Sequence, residues 1–201
     1  MYEWRNLTPQ QRAEVLGLRQ QSQLPWHSPP HYSDTGFYFY HLSASCYEHK
    51  SIIGASPKRM AAFEFDLQKT LTLFENRLCA WCILPNHWHA LIQTKYLQKT
   101  IHQIGRLHGR TSFKWNKEDG CIGRKCWHRC VDRRIRSDAH RFATQNYIHH
   151  NPVKHGYTQE WSEWAFSSAA DYLAKVGRDK ALELWKKYPV LKMGKNWDEN
   201  I

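Results

Sequence analysis

Residues 77–94 read RLCAWCILPNHWHALIQT. Two apolar runs, Arg77 to Leu84 and Trp88 to Thr94, flank Pro85-Asn86, and strand-length runs on either side of such a dipeptide predict a β-hairpin. The second run opens on His87-Trp88-His89. Side chains alternate along a strand, so both imidazoles project from one face and Trp88 from the other.

Outward from the hairpin, Gly36 to Cys46 (GFYFYHLSASC) has the length and aromatic content of a strand. Ser56-Pro57 opens a helix running to about Asn76, with Met60, Phe63, Leu67, Leu71 and Phe74 at three- and four-residue spacing. Beyond the hairpin a long helix carries Leu97, Ile101, Ile104, His108 and Trp115 on one stripe. Gly120 and Gly123 bracket a return to extended chain, and Lys125 to Arg136 reads as a last strand. Ser137 or Asp138 caps a helix expected to end at Asn151, because Pro152 disfavours helix in the residue before it. Strand, helix, strand, strand, helix, strand, helix is the order of an α+β, ferredoxin-like split βαβ fold, with an antiparallel sheet and helices on one face. This core is expected over residues 36–160. Residues 1–35 precede it as a helix from Thr8-Pro9 to about Gln21 and a Pro-rich arm around Trp26 to His31. Residues 161–201 follow as a tail with a helix from about Arg178 to Tyr188.

The chain has 201 residues, with 29 Lys+Arg against 18 Asp+Glu and a formal charge of +11. No window approaches the ~18 to 20 uninterrupted apolar residues of a membrane span, and the MYEWR start has no signal-type apolar run behind it. A cytoplasmic protein with reduced thiols and no membrane partner is expected, and the charge points to a polyanion. Between Lys95 and Arg136 lie twelve basic and three acidic residues, net +9. Lys99, Arg106, Arg110, Lys114 and Lys117 share one helical stripe with Phe113 beside them, the pattern of a phosphate-gripping helix.

Two same-face histidines can ligate a metal, although His-x-His alone also occurs in packed strands. Tyr147 and Asn151, four residues apart, lie one turn apart on one helix face, with His140 near the same line. Cys79-x-x-Cys82 with Cys126-x3-Cys130 hints at structural zinc, but residues three apart on a strand point to opposite faces and no knuckle glycine accompanies them.

Leu84-Pro85-Asn86-His87-Trp88-His89-Ala90-Leu91-Ile92 and Tyr147-Ile148-His149-His150-Asn151-Pro152-Val153-Lys154-His155-Gly156-Tyr157 together resemble the two signature blocks of the HUH single-tyrosine transposases. The longer frame, roughly Gly36 to Tyr172, resembles the REP-associated tyrosine transposases. It includes Trp127-His128-Arg129, Asp132-Arg133-Arg134-Ile135-Arg136 and Trp164-Ala165-Phe166-Ser167-Ser168. The resemblance implies an HUH endonuclease fold acting on single-stranded DNA, with Tyr147 as nucleophile and His87 and His89 as ligands of Mg²⁺ or Mn²⁺. Related insertion-sequence transposases complete the metal site with a Gln one turn after the Tyr, where this chain has the shorter Asn151. The expected partner is DNA whose palindromic repeats fold into hairpins, with no small-molecule substrate. Its backbone would meet the helical stripe and Arg133, Arg134, Arg136 and Lys154, and the Trp26 to His31 arm would lie near it. A protein associated with a bacterial nucleoid is expected, a monomer by resemblance, with a dimer as the alternative. The alternative is a repeat-DNA-binding regulator of the same fold without catalysis.

Overall fold

The computed structural model describes residues 7–21 and 36–190. In the first stretch, helix α1 (Pro9–Gln21) is closed at its start by a reciprocal pair. The Thr8 amide donates to Gln11 Oε1 at 2.8 Å and the Gln11 amide to Thr8 Oγ1 at 3.2 Å, the capping box expected from the sequence. The Trp26 to His31 arm and the end of the tail lie outside the described residues. Among those described, no helix is long and apolar enough to cross a membrane.

The unit beginning at Gly36 is built on one antiparallel sheet of β1 (Tyr38–Ser45), β2 (Arg77–Ile83), β3 (His87–Thr94) and β4 (Val131–Arg134), in the order β2-β3-β1-β4. The connections are α2 (Pro57–Leu71) between β1 and β2, the Pro85-Asn86 turn, and α3 (Leu97–Glu118) leading to β4. This is the split βαβ order expected. Register pairs Leu42 with Ala90, Ser43 with His89, Cys82 with His89 and His41 with Arg133. Leu42, Ala44, Trp88, Ala90 and Ile92 therefore share one face. There they join Phe63 and Leu67 of α2 and Ile104, Leu107 and Trp115 of α3 in the main hydrophobic core. The other face carries His41, His87, His89 and Leu91, and α4 (Asp138–Lys154) packs on it against β2 and β3.

Helices were expected on one face, and α2 and α3 meet that expectation while α4 does not. The cause lies in its burial pattern, since Tyr147, Ile148 and Asn151 are buried and need the second sheet face to cover them. Three boundaries also move. Helix α2 stops at Leu71 instead of near Asn76, where Phe74 and Glu75 take left-handed φ values of 60° and 61°. Strand β4 is short because residues 124–130 pair outside the ladder, the Tyr47 amide donating to the Cys126 carbonyl at 2.8 Å and the His128 amide to that of Ser45 at 2.9 Å. Helix α4 runs through Pro152 to Lys154. Pro forfeits one N–H there, and the His155 amide still closes the last turn on the Asn151 carbonyl at 3.1 Å.

After α4, Trp164 to Ser168 lies along the outer edge of β2. The Ile83 amide donates to the Phe166 carbonyl at 2.9 Å and Trp164 Nε1 to the Ile83 carbonyl at 2.8 Å. Helices α5 (Ala169–Val176) and α6 (Arg178–Lys187) follow.

The hairpin tip is gripped from the β1–α2 connection. The Gly54 amide donates to the Pro85 carbonyl at 2.9 Å, the Cys46 amide to the Asn86 carbonyl at 2.7 Å, and Asn86 Nδ2 to the His49 carbonyl at 3.1 Å. A Cβ on Gly54 would lie 2.3 Å from Pro85 Cβ and 2.8 Å from its Cα, so this approach requires glycine. Gly54→Ala is expected to cost about 1 to 3 kcal/mol through overpacking, read as a lower urea midpoint at unchanged slope.

Two histidines are buried as neutral rings. His108 stacks on Trp127 at 4.1 Å and accepts Trp88 Nε1–H at 3.3 Å, and burial pushes its pKa down to about 3. His149 bonds Ser168 Oγ through Nε2 at 3.0 Å and is likewise pushed down to about 3. In the unfolded chain both titrate near ~6.5. Between those values only the unfolded state takes up protons, so their contribution is complete above about pH 6.5 and is lost as pH falls toward 3. Urea unfolding at pH 7, 6 and 5 is expected to show stability falling by up to ~1.4 kcal/mol per pH unit for each ring.

Candidate active site on the histidine face of the sheet

The polar side chains buried between β3, β1 and α4 converge on a small volume. His87 begins β3 and its ring is fixed from both sides. Nδ1 lies 2.7 Å from Asn86 Oδ1 and Nε2 lies 2.9 Å from Asn151 Oδ1. An amide oxygen can only accept, so Nδ1 carries a proton, and in the neutral ring Nε2 is then a lone pair aimed at the Asn151 side chain. Asn151 is fully buried and its Nδ2 has no hydrogen-bond partner. Turning the amide over would pair Nδ2 with His87 and orphan Oδ1 instead, so one atom of this side chain is unsatisfied either way.

His89 approaches His87 with ring centroids 5.1 Å apart. Its Nδ1 is 3.1 Å from His41 Nε2, which leaves Nε2 as the nitrogen His89 would offer an ion. The Tyr147 ring meets the His89 ring edge-on at 5.3 Å and the His41 ring at 6.0 Å. Lys154 Nζ lies 5.5 Å from the Tyr147 centroid, and Tyr147 is only 1% exposed. Tyr147 and Asn151 fall one turn apart on α4, as their spacing required.

Among the described residues no group of three His, Cys, Asp or Glu could hold a metal. The donor set here is two imidazoles and one amide oxygen, and with the ring proton on Nδ1 the His87 Nε2 lone pair and Asn151 Oδ1 face each other at 2.9 Å, two acceptors whose convergence fits a cation. The six cysteines are free thiols, and Cys46, Cys82 and Cys126 are buried.

The basic residues divide between the two sides. Arg133 pairs in register with His41 and shares its face. Burial pulls its guanidinium below the ordinary range, and Tyr147 opposes that pull. Burial, then Arg133 and Arg136, hold His140 below the usual imidazole range. Arg133 and Lys154 are thus the cations on the Tyr147 side. Arg134 points to the other face, stacked on the Tyr38 ring at 3.7 Å. Lys99, Arg106, Arg110, Lys114 and Lys117 are exposed on α3. Helix α3 packs on the Trp88 face, so the sheet separates that stripe from Tyr147. The stripe and Lys154, both expected to meet the DNA backbone, are on opposite sides of the sheet because β3 alternates.

His41, Asn86 and His155 are site residues that the sequence reading did not single out. Asn86 immediately precedes His87, and His155 lies four residues after Asn151 with its ring 4.9 Å from that of His87. No local signal marks His41, whose place depends on strand pairing. Imidazole ¹⁵N shifts are expected to report His87 as the Nδ1-protonated tautomer, and Asn86→Ala to convert it to a tautomer mixture.

The fold is shared with a solved transposase structure. It superposes on a solved REP-associated tyrosine transposase bound to a REP hairpin with a TM-score of 0.57 and 18% identity, covering 73% of this chain and 84% of that one. In sequence, a Haemophilus influenzae protein described as "Putative REP-associated tyrosine transposase" is 31% identical over 108 residues, 44% of this chain. The chain spans 56% of that relative's length. No family model matches the chain.

Proposed function

We propose that this chain is a REP-associated tyrosine transposase, a metal-dependent endonuclease and strand transferase for single-stranded DNA whose repeats fold into hairpins. The observation that carries the proposal is the meeting of His87 Nε2 and Asn151 Oδ1 at 2.9 Å on the sheet face that also holds His89 and Tyr147. The name of the curated relative and the hairpin in the structural neighbour support the same reading.

Mg²⁺ or Mn²⁺ held by His87, His89 and Asn151 would act as a Lewis acid on the scissile phosphate and orient it. Asn86 and His41 hold the two imidazoles in the ligating orientation. The Tyr147 oxygen attacks phosphorus in line, forming a bond to the 5′ side as the bond to the 3′ oxygen breaks. The phenol proton is lost, the departing oxygen gains one as a 3′-OH, and the DNA is left on Tyr147 as a 5′-phosphotyrosine. Because the ester is exchanged and not hydrolysed, a second 3′-OH can reverse the step. Arg133 and Lys154 place positive charge where the phosphate must sit. Tyr147 is nearly inaccessible in this conformation, so a strand reaches it only after its surroundings open. That burial is the observation favouring the second reading, a repeat-DNA-binding regulator without catalysis.

With Mg²⁺ and a hairpin-bearing single strand, the wild type is expected to yield a covalent adduct on Tyr147. Tyr147→Phe should abolish the adduct while leaving affinity within a few-fold, and chelator should stop cleavage by the wild type. Binding without any adduct would decide for the regulator. Arg106→Glu, Arg110→Glu and Lys114→Glu together are expected to lower the slope of log affinity against log salt by about 2 to 3 if the α3 stripe contacts phosphates. An unchanged slope would leave the stripe a solvated face.

A further inference from the structure

Helix α4 carries the Tyr147 site on one side only. Its opposite side, through His149, His150 and Val153, floors a cavity of about 380 Å³ completed by α5, α6 and residues 159–162. Small-ligand pockets run from ~300 to ~1,000 Å³, and this one lies apart from the site already described. Its walls are flat rings. Trp161, Tyr172 and Trp185 are half-buried, each leaving part of its surface to the cavity. His149 stacks nearly parallel to Trp161, 17° between planes at 5.9 Å, and lies 5.0 Å from Tyr172, while His150 is 5.1 Å from Trp185. Burial keeps both imidazoles below their ordinary pKa, so at neutral pH the floor is uncharged. At the rim stand the exposed Gln159, Glu160 and Arg178.

Aromatic walls around an uncharged floor suit a planar heterocycle, because rings gain most from face contact with other rings. The rim adds what a nucleotide needs at its edges: an amide and a carboxylate for the donors and acceptors of a base, and a guanidinium for a phosphate. An aliphatic ligand would leave those groups unused.

We propose that this cavity seats one unpaired nucleobase, stacked on the Trp161 and Trp185 rings with its phosphate on Arg178. The proposal rests on the DNA reading above and deepens it, since a base held here would press on the back of the helix that carries Tyr147. The same chemistry is offered by a nucleotide within the strand and by a free mononucleotide, and the two are separable.

The test uses the full chain. Affinity is measured for a hairpin-bearing single strand, for the same strand with an abasic site stepped through its unpaired segment, and for each deoxynucleoside monophosphate by calorimetry. Stacking on one ring is worth ~1 to 3 kcal/mol, so Trp161→Leu and Trp185→Leu are each expected to weaken strand binding about 5- to 150-fold. One abasic position should weaken wild-type binding similarly yet cost nothing further in the Trp variants. Saturable mononucleotide binding lost in Trp185→Leu would identify a free nucleotide as the occupant, and its absence with a strand effect would identify a base of the strand. Strand affinity unchanged in folded Trp variants, with every abasic position neutral, would overturn the proposal while leaving the Tyr147 chemistry standing. A wild type that binds no DNA would defeat the DNA reading itself. Should a Trp variant melt early, Arg178→Glu at the exposed rim provides the second test, with loss of strand or mononucleotide affinity expected and an unchanged affinity for both overturning the proposal.

Discussion

Alternation along β3 is the constraint on which the rest of the structure depends. Trp88, Ala90 and Ile92 fill the core against α2 and α3, and this fixes His87, His89 and Leu91 on the reverse face. A slip of one residue would put two imidazoles into an apolar core and an indole into the site. Hydrophobic burial under α2 and α3 thus sets the register of the polar face. That face then accepts a helix able to satisfy it, one offering Tyr147 and Asn151 a turn apart. The chemistry is positioned by packing it does not take part in.

Local rules reached the hairpin, the order of strands and helices along the chain and the helix starts at Thr8 and Ser56, because each depends on residues within a few positions of one another. They reached His87 and His89 through strand alternation, and Tyr147 with Asn151 through helical spacing. What they missed depends on pairing between distant segments. His41 enters the site only because β1 lies beside β3. The second helical layer followed the same logic, since nothing within α4 states which sheet face it will cover. The helix end at Asn151 failed for a different reason: proline disfavours helix in its predecessor by a modest energy, which the buried contacts of this turn outweigh.

Charge is likewise distributed by the fold more than by the sequence. The run from Lys95 to Arg136 reads as one basic patch, yet the sheet divides it into Arg133 beside the tyrosine and the α3 stripe behind. Part of the run is spent internally. Arg124 donates to Asp119 at 2.7 Å, and Arg59, reaching over from the first turn of α2, bonds the same carboxylate at 3.0 Å. Those guanidiniums hold Asp119 down to about 2, despite the opposing effect of partial burial. Arg124, in the middle of the basic run, thereby helps tie α2 to the end of α3 and is not part of the open stripe.

The turn at Glu48 and His49 has a wider consequence. Both residues sit in the left-handed region, at φ 54° and 53°, and the His49 carbonyl accepts from the side chain of Asn86, which in turn orients His87. The histidine pair is therefore not a portable motif. Transplanting residues 84–92 onto another hairpin would carry the two histidines without the turn that aims them. A protein engineer moving this chemistry to a new scaffold would have to graft 46–54 with it, and could enter glycine at 48 or 49 but not a β-branched residue.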